Sequence, residues 1–204
     1  MVVIDLTMPI DERTPVFPGD ERHHIVQSAT IEEDGWNEKR LTFNSHFSTH
    51  IDAPFHMLEN GKKLTDYPLE TFVGEAIVID ARGQKEIDAP LSNIKPNDIV
   101  FFYTEHTTKA YSKDFFKNNP ALTKSMAQQL IEQKIKIVGI DSFTPDNAPY
   151  EIHKLLFRHD ILIVENLVNL DKLVGKRFMC YVLPLKIQDA DGAPCRVIGI
   201  PQPL

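Results

Sequence analysis

The sequence predicts a single α/β domain with a mixed, partly parallel sheet, extending over residues 1–204. The length of 204 residues is enough for one domain with a substantial hydrophobic core. The composition, with 42% hydrophobic and 25% charged residues, is that of an ordinary globular protein. Between residues 99 and 166, predicted strands and helices alternate, which is typical of parallel strands joined by helices.

The first half of the chain predicts strands only. Residues 2–6, about 23–30 and 38–44 have the character of extended segments, and the third leads directly into a histidine-rich segment. Residues 76–80 are a short apolar run before a turn at Arg82 and Gly83, as expected of a buried strand. Residues 99–103 are a second such run.

The second half predicts two helices between further strands. Residues 123–134 repeat apolar side chains at helical spacing, after a hydroxyl residue that suits a helix start. Residues 150–158 follow a proline and predict another helix. The remaining predicted strands are 135–140, 161–164, 179–185 and 197–200. Because strands dominate both ends of the chain, we expect a second, mixed or antiparallel sheet there.

Charge and cysteine content exclude several classes of protein. The net charge of −7, without a basic cluster, argues against a nucleic-acid partner. No apolar run has the length needed to span a bilayer, so we expect no membrane partner. The apolar start has no basic leader and is interpreted as a first strand. Cys180 and Cys195 form no Cys-x-x-Cys pair, which suits a reducing compartment, so we expect a cytoplasmic protein.

Four candidate metal ligands lie close together in the sequence: His46, His50, Asp52 and His56. A straight strand would place His46 and His50 about 13 Å apart, at about 3.3 Å per residue, which is too far for both rings to bind one ion. A helix would bring them together but turn Asp52 away, and Pro54 disfavours it. A bend at residues 47–49 followed by two or three extended residues solves both problems: it shortens the distance between the two histidines and keeps Asp52 directed toward them. The segment therefore predicts a ligand-bearing loop.

A second candidate pair lies far from this segment. Glu165 follows four apolar residues at the end of a predicted buried strand, where an ionised carboxylate needs a partner or a cation. His153 lies on the preceding predicted helix, which could direct its ring toward the same strand end. The alternative is a Glu165 that emerges into solvent as the strand ends. The other histidines have no such context and are interpreted as surface or polar core residues: His23, His24, His106 and His159.

Residues 46–56 read His-Phe-Ser-Thr-His-Ile-Asp-Ala-Pro-Phe-His. This segment resembles the H-x-G-T-H-x-D-A-P-x-H signature of the cyclase family, which includes bacterial kynurenine formamidases. The segments that also resemble family positions are 4–10, 17–20, 140–142 and 165–170, together with His153. The resemblance therefore covers nearly the whole chain. One motif position departs from the family: Ser48 replaces the usual glycine, which adopts positive φ more readily.

The resemblance implies a compact β/β/α fold of the swivelling type that assembles as a homodimer or homotetramer. It also implies two divalent metal ions, zinc first and manganese as the alternative. By position, His46, His50 and Asp52 would hold one ion. Asp52 would bridge to a second ion, which His153 and Glu165 would complete.

The resemblance further implies two residues that act on a small-molecule substrate. His56 would be the acid–base residue, and Phe17 occupies a place where formamidases tend to have a tryptophan beside the substrate ring. The implied activity is hydrolysis of a small amide or formamide, such as an N-formylkynurenine-like arylformamide, by a metal-activated water. The alternatives are a cyclic substrate (isatin-like lactam, lactone or cyclic diketone) and a non-catalytic metal- or small-molecule-binding protein. His56 favours catalysis, because a binding protein has no evident need for this extra imidazole.

Overall fold

The computed structural model describes residues 2–201, so residues 1 and 202–204 of the predicted domain lie outside the described part. The strands within residues 2–201 are β1 (Ile4–Asp5), β2 (His24–Ala29), β3 (Glu38–Thr42), β4 (His50–Asp52), β5 (Val73–Asp80), β6 (Glu86–Ile87), β7 (Ile99–Tyr103), β8 (Ala121–Leu122), β9 (Ile137–Ile140), β10 (Leu162–Glu165), β11 (Arg177–Pro184) and β12 (Gly192–Pro201). The α-helices are α1 (Ile31–Asp34), α2 (Lys124–Glu132) and α3 (Glu151–Phe157). Single turns of 3-10 helix lie between them, including Pro54–His56.

Eight strands form one sheet that closes on itself as a barrel. Their order is β1-β12-β11-β5-β7-β9-β10-β4, and β12 also pairs with β4. The run from β5 through β7 and β9 to β10 is parallel. The other pairings in this sheet are antiparallel. The predicted α/β class with a mixed, partly parallel sheet is therefore confirmed.

The ends of the chain do not form the separate sheet that the sequence suggested. Instead β1, β11 and β12 join the barrel, because β12 runs for ten residues and pairs along its length with three other strands. Its pairing with β4 begins at Gly192, well before the predicted start at residue 197. The sheets outside the barrel are small and consist of β2 with β3 and of β6 with β8.

The barrel strands bury side chains on both faces. One apolar cluster collects residues from every strand of the closed barrel, including Ile51, Phe101 and Val164, and fills its interior. A second cluster packs strand residues such as Phe102 and Ile163 against α2 and α3. Strands covered on both faces are near-continuous apolar runs, which explains why β7 and β10 were recognisable in the sequence.

Both predicted long helices are present and close to their predicted bounds. Thr123 precedes α2 and accepts a hydrogen bond from Met126 N at 3.0 Å, so the predicted hydroxyl cap is confirmed. α3 packs against β10 and buries His153 on that side. β4 pairs with β10, so α3, β10 and β4 come together at one place. Within residues 2–201, no helix is long and apolar enough to cross a membrane.

Candidate metal centre

A sharp bend precedes β4, where the sequence predicts it. Ser48 lies in this bend with φ 57°, in the left-handed conformation that glycine adopts at lower cost than serine. Ser48 Oγ donates to Met8 O at 3.0 Å, and Thr49 Oγ1 donates to Asn166 O at 2.6 Å. These bonds tie the bend to two distant segments. The prediction of a bend followed by a few extended residues is confirmed.

Strand pairing brings Glu165 beside the ligand-bearing loop. Glu165 lies directly opposite His50 in the antiparallel pairing of β10 with β4. Its side chain is buried, so the alternative in which it emerges into solvent is excluded. From α3, His153 reaches the same carboxylate, with Nε2 3.3 Å from Glu165 Oε1.

Three imidazoles surround the carboxylates of Asp52 and Glu165. His46 Nδ1 lies 2.7 Å from Asp52 Oδ1, and His50 Nε2 lies 3.2 Å from the same oxygen. His50 Nε2 is also 3.4 Å from Glu165 Oε2. His153 Nε2 is 3.9 Å from Asp52 Oδ2. The structure thus brings all five predicted ligands together, and Asp52 faces the histidines with both of its oxygens.

The ring nitrogens that point away from these carboxylates also have hydrogen-bond partners. His46 Nε2 lies 2.9 Å from Asp191 Oδ2, and His153 Nδ1 lies 2.5 Å from Asp146 Oδ1. His50 Nδ1 lies 2.9 Å from the backbone carbonyl two residues earlier. When each outer nitrogen keeps its proton for its acceptor, loss of the inner proton leaves the lone pair of the ring on the nitrogen that faces the carboxylates, where a metal could bind it.

Sequence reasoning missed Asp146 and Asp191 as parts of this centre. Asp146 lies in the loop before α3, and Asp191 lies directly before β12. Both lie far from the ligand-bearing loop in sequence. The one available signal was the spacing of Asp146 from His153, which allows a carboxylate to reach the first turn of the helix that carries the histidine.

His56 lies next to the cluster, in the 3-10 helix Pro54–His56. Its ring centroid is 3.9 Å from that of His46, and its Nδ1 is 3.5 Å from Asp191 Oδ2. Potential ligand atoms of His46, Asp52 and His56 lie within 4.8 Å of one another. His56 is therefore close enough to act beside a bound ion.

Burial and charge act in opposite directions on the histidines of the cluster. Burial opposes protonation of His46, but nearby carboxylates, Asp52 foremost, raise its pKa to about 9. Burial also opposes protonation of His153, but Asp146 and the neighbouring glutamate raise its pKa to about 10. For His56 burial prevails, so its pKa lies below the ordinary value of 6.5. Of these three rings, His56 is the one whose environment favours a neutral imidazole able to accept a proton.

The cluster forms one side of a cavity of about 690 Å³. An aromatic wall, formed by Phe17, Phe116 and Phe143, lines another part of it. The ring centroids of Phe17 and Phe116 are 5.8 Å apart, and those of Phe116 and Phe143 are 5.0 Å apart. Phe17, the predicted substrate residue, is 41% exposed. A cavity of this size with an aromatic wall suits a small molecule that carries a ring.

The histidines outside the cluster have the structural roles that the sequence indicated. His23 and His106 are buried and contact backbone carbonyl groups through Nε2, whereas His24 and His159 are exposed. Asp141 directly follows β9 but does not line the cavity, because its carboxylate accepts hydrogen bonds from the segment that follows β7.

This donor set fits a divalent metal ion. Asp52 and Glu165 are 1% and 6% exposed, and two buried carboxylates are costly without a compensating cation. Their charged neighbours among the described residues are imidazoles, which can exchange a proton for a metal. Nitrogen and oxygen donors of this kind suit zinc and manganese alike.

The barrel is that of a metal-dependent hydrolase, and the donor set fits such an enzyme. A solved structure described as a potential metal-dependent hydrolase with cyclase activity is 29% identical, with a TM-score of 0.84 over 100% of this chain and 99% of that one. A solved isatin hydrolase bound to the product analogue thioisatinate shares the fold, with a TM-score of 0.86 at 21% identity over 98% of this chain and 92% of that one.

Sequence comparison gives the family. The kynurenine formamidase of Bacillus cereus is 34% identical over 204 residues, covering 96% of this chain and 95% of the relative. The family described as a putative cyclase matches residues 4–147. The chain belongs to this cyclase family, and the resemblance seen in the motif is confirmed.

Proposed function

We propose that the protein hydrolyses a small amide or formamide, with an N-formylkynurenine-like arylformamide as the substrate class. The observation that carries this proposal is the convergence of five His, Asp and Glu side chains on a cavity with an aromatic wall. The relatives named kynurenine formamidase support the same class. In this proposal Phe17 contacts the aromatic ring of the substrate.

In this proposal two divalent ions share the site, with zinc as the first choice and manganese as the alternative. His46, His50 and Asp52 hold one ion. His153 and Glu165 complete the site of the second. Asp52 bridges the two, an assignment supported by its Oδ1 lying toward the first two histidines and its Oδ2 toward the third.

The residues around the ligands supply the proton transfers. A bound divalent ion would acidify water and polarise a carbonyl group. His56 directs Nδ1 toward Asp191 at 3.5 Å, which leaves Nε2 to take a proton from the attacking water and deliver it to the leaving nitrogen. That delivery matters because an amide anion is a poor leaving group, and acid–base help of this kind is worth about 10²–10⁴-fold in rate.

A substrate panel tests the proposal. Metal-reconstituted protein is assayed with N-formylated aromatic amines, isatin-type lactams and lactones. Turnover of the formylated amines that is lost on chelation and restored by metal supports the proposed class. Turnover of lactams or lactones alone would replace it with hydrolysis of a cyclic substrate. Binding without turnover of any compound would support a non-catalytic protein of the same fold.

We further propose that the protein assembles as a homodimer or homotetramer. The β2–β3 hairpin supports this, because Val26, Trp36 and Leu41 are at least half exposed on it. A two-stranded ribbon is only marginally stable alone, and large apolar side chains gain from a partner surface. Light scattering in solution measures the molar mass, and a fully active monomer would contradict the proposal.

We also propose that the protein acts in the cytoplasm. Cys180 and Cys195 are buried free thiols, which suits a reducing compartment. Fractionation of the native cells tests this, and recovery with a periplasmic or secreted marker would contradict it.

A further inference from the structure

We propose that Asp146 is a positioning residue that fixes His153 in the tautomer able to bind metal. The inference rests on the proposed function, because it takes His153 as a ligand of the second ion. It goes beyond that function by assigning a role to a carboxylate that contacts neither ion nor substrate in the proposed scheme.

Asp146 forms hydrogen bonds with both the ring and the backbone of His153. Its side chain is buried, at 4% exposure, and Oδ1 lies 2.5 Å from His153 Nδ1. Oδ2 accepts hydrogen bonds from Ile152 N at 2.8 Å and from His153 N at 3.3 Å. One carboxylate therefore caps the first turn of α3 and anchors the imidazole that this turn carries.

The hydrogen bond to Asp146 decides which nitrogen of the His153 ring faces the metal centre. With the Nδ1 proton donated to Asp146, Nε2 is the nitrogen directed at Glu165 Oε1. The neighbouring rings of Tyr150 and Phe157 lie 5.9 and 5.7 Å from the imidazole and restrict its rotation. Their rings offer no strong acceptor for the Nδ1 proton, so the acceptor that keeps the proton on Nδ1 is Asp146, and Glu165 at Nε2 is the group that would share the metal with the ring.

Asp146→Asn is an informative substitution, because asparagine has one oxygen where aspartate uses two. If that oxygen faces the ring, the amide nitrogen meets the two backbone N–H donors of α3. If the oxygen faces the helix, the amide nitrogen of the asparagine meets His153 Nδ1. The amide then donates to Nδ1 and favours the tautomer in which the ring proton is on Nε2, and a protonated Nε2 cannot bind metal. Either arrangement weakens the ligand without removing it.

Asp141→Asn is the matched control. Asp141 is also a buried loop carboxylate, at 1% exposure, and accepts hydrogen bonds from Thr104 N at 2.7 Å and Glu105 N at 2.8 Å. It touches none of the candidate ligands within residues 2–201. A loss of metal affinity shared by both variants would therefore report general damage to the fold.

The experiment measures zinc stoichiometry and affinity by competition with a chromophoric chelator, for the wild type, Asp146→Asn, Asp141→Asn and His153→Ala. We expect Asp146→Asn to bind one of two zinc ions about 10–100-fold more weakly, and Asp141→Asn to bind both as the wild type does. Nitrogen-15 NMR of the zinc-loaded wild type should also show the His153 ring proton on Nδ1, a readout that needs no variant. A proton on Nε2 there would overturn the proposal.

The outcomes distinguish a failure of this inference from a failure of the proposed function. If His153→Ala loses an ion while Asp146→Asn binds zinc as tightly as the wild type, the role of Asp146 is wrong and the ligand set stands. If His153→Ala keeps both ions, or the wild type binds none, the proposed metal site is wrong and the inference falls with it.

Discussion

Glu165 lies directly opposite His50 in the antiparallel pairing of β10 with β4. Two candidate ligands from distant parts of the chain are thus placed by backbone hydrogen bonds of a buried sheet. A register shift of one residue would turn one of these side chains to the other face of the strand. The apolar residues of both strands resist such a shift, because it would expose Ile51 or Val164 from the barrel interior. The core therefore specifies the geometry of the site.

Removal of His56 should remove most of the turnover and leave the metal in place. His56→Ala deletes the proposed proton carrier, so we expect the rate to fall by about 10²–10⁴-fold. Metal content, measured by elemental analysis after gel filtration, should remain that of the wild type. His159→Ala is the control, because His159 is exposed and its ring contacts only the carbonyl of Leu155 among the described residues. Loss of an ion from His56→Ala would make His56 a ligand instead.

Gly192 is required for the close approach of His46 to the sheet. A Cβ added at Gly192 would lie 2.6 Å from His46 Cε1 and 3.0 Å from Ile51 O, so the ring would have to move. We expect Gly192→Ala to weaken metal binding about 10-fold or more, by analogy with the loss of a group that orients a ligand. Competition with a chelator measures this effect.

Gly199→Ala is the matched control for that substitution. Gly199 lies on the same strand, and a Cβ there would meet Leu173 at 2.8 Å and Phe178 at 2.9 Å in the barrel interior. It should lower the free energy of unfolding, because overpacking a core typically costs about 1–3 kcal/mol. Metal affinity of the folded fraction should be unchanged. Equal losses of affinity in both variants would show that the effect of Gly192 is not local.

The ligand-bearing loop could be predicted from sequence because its constraints are local. The spacing of His46 and His50 with Pro54 leaves a bend and a short strand as the geometry that satisfies all three. Glu165 could be recognised as a candidate ligand because the apolar run before it marks a strand covered on both faces. Its burial could not be predicted, because a residue at the end of a strand can also emerge into solvent.

Features that depend on long-range pairing could not be predicted. The separate terminal sheet was wrong because β12 pairs with β1, β4 and β11 at once, and such partners leave no periodic trace in the sequence. The contacts of Asp146 with His153 and of Asp191 with His46 could not be predicted for the same reason. A loop aspartate is most often an exposed residue, and only the folded chain shows which ring nitrogen it meets.

His106 should make stability depend on pH. Its side chain is buried, and Nε2 donates to Phe115 O at 2.7 Å. Burial lowers the pKa of His106 below its ordinary value of 6.5, so the unfolded chain binds this proton more readily than the folded protein. The stabilisation is therefore complete above about pH 6.5 and is lost as the pH falls through the lower pKa of the folded state.

His106→Gln isolates this effect, because glutamine keeps a donor but does not titrate. The advantage of the wild type in free energy of unfolding should shrink as the pH falls from about 7 to about 5, by at most about 1.4 kcal/mol per pH unit. Urea unfolding of both proteins at matched pH measures the difference, in which the titration of all other groups cancels. A difference that stays constant or grows toward low pH would contradict the prediction.

Substitutions at Ser48 separate the cost of the bend from the value of its hydrogen bond. The left-handed conformation at φ 57° costs a residue other than glycine about 1–2 kcal/mol, and a buried hydrogen bond contributes about 1 kcal/mol. Ser48→Ala keeps the conformational cost and loses the bond to Met8 O, so we expect a destabilisation of about 1 kcal/mol or more. Ser48→Gly loses the bond but relieves the strain, so its free energy of unfolding should lie within about 1 kcal/mol of the wild type. Urea unfolding at saturating metal measures both, and an alanine variant as stable as the glycine variant would show that the conformation at residue 48 carries no cost.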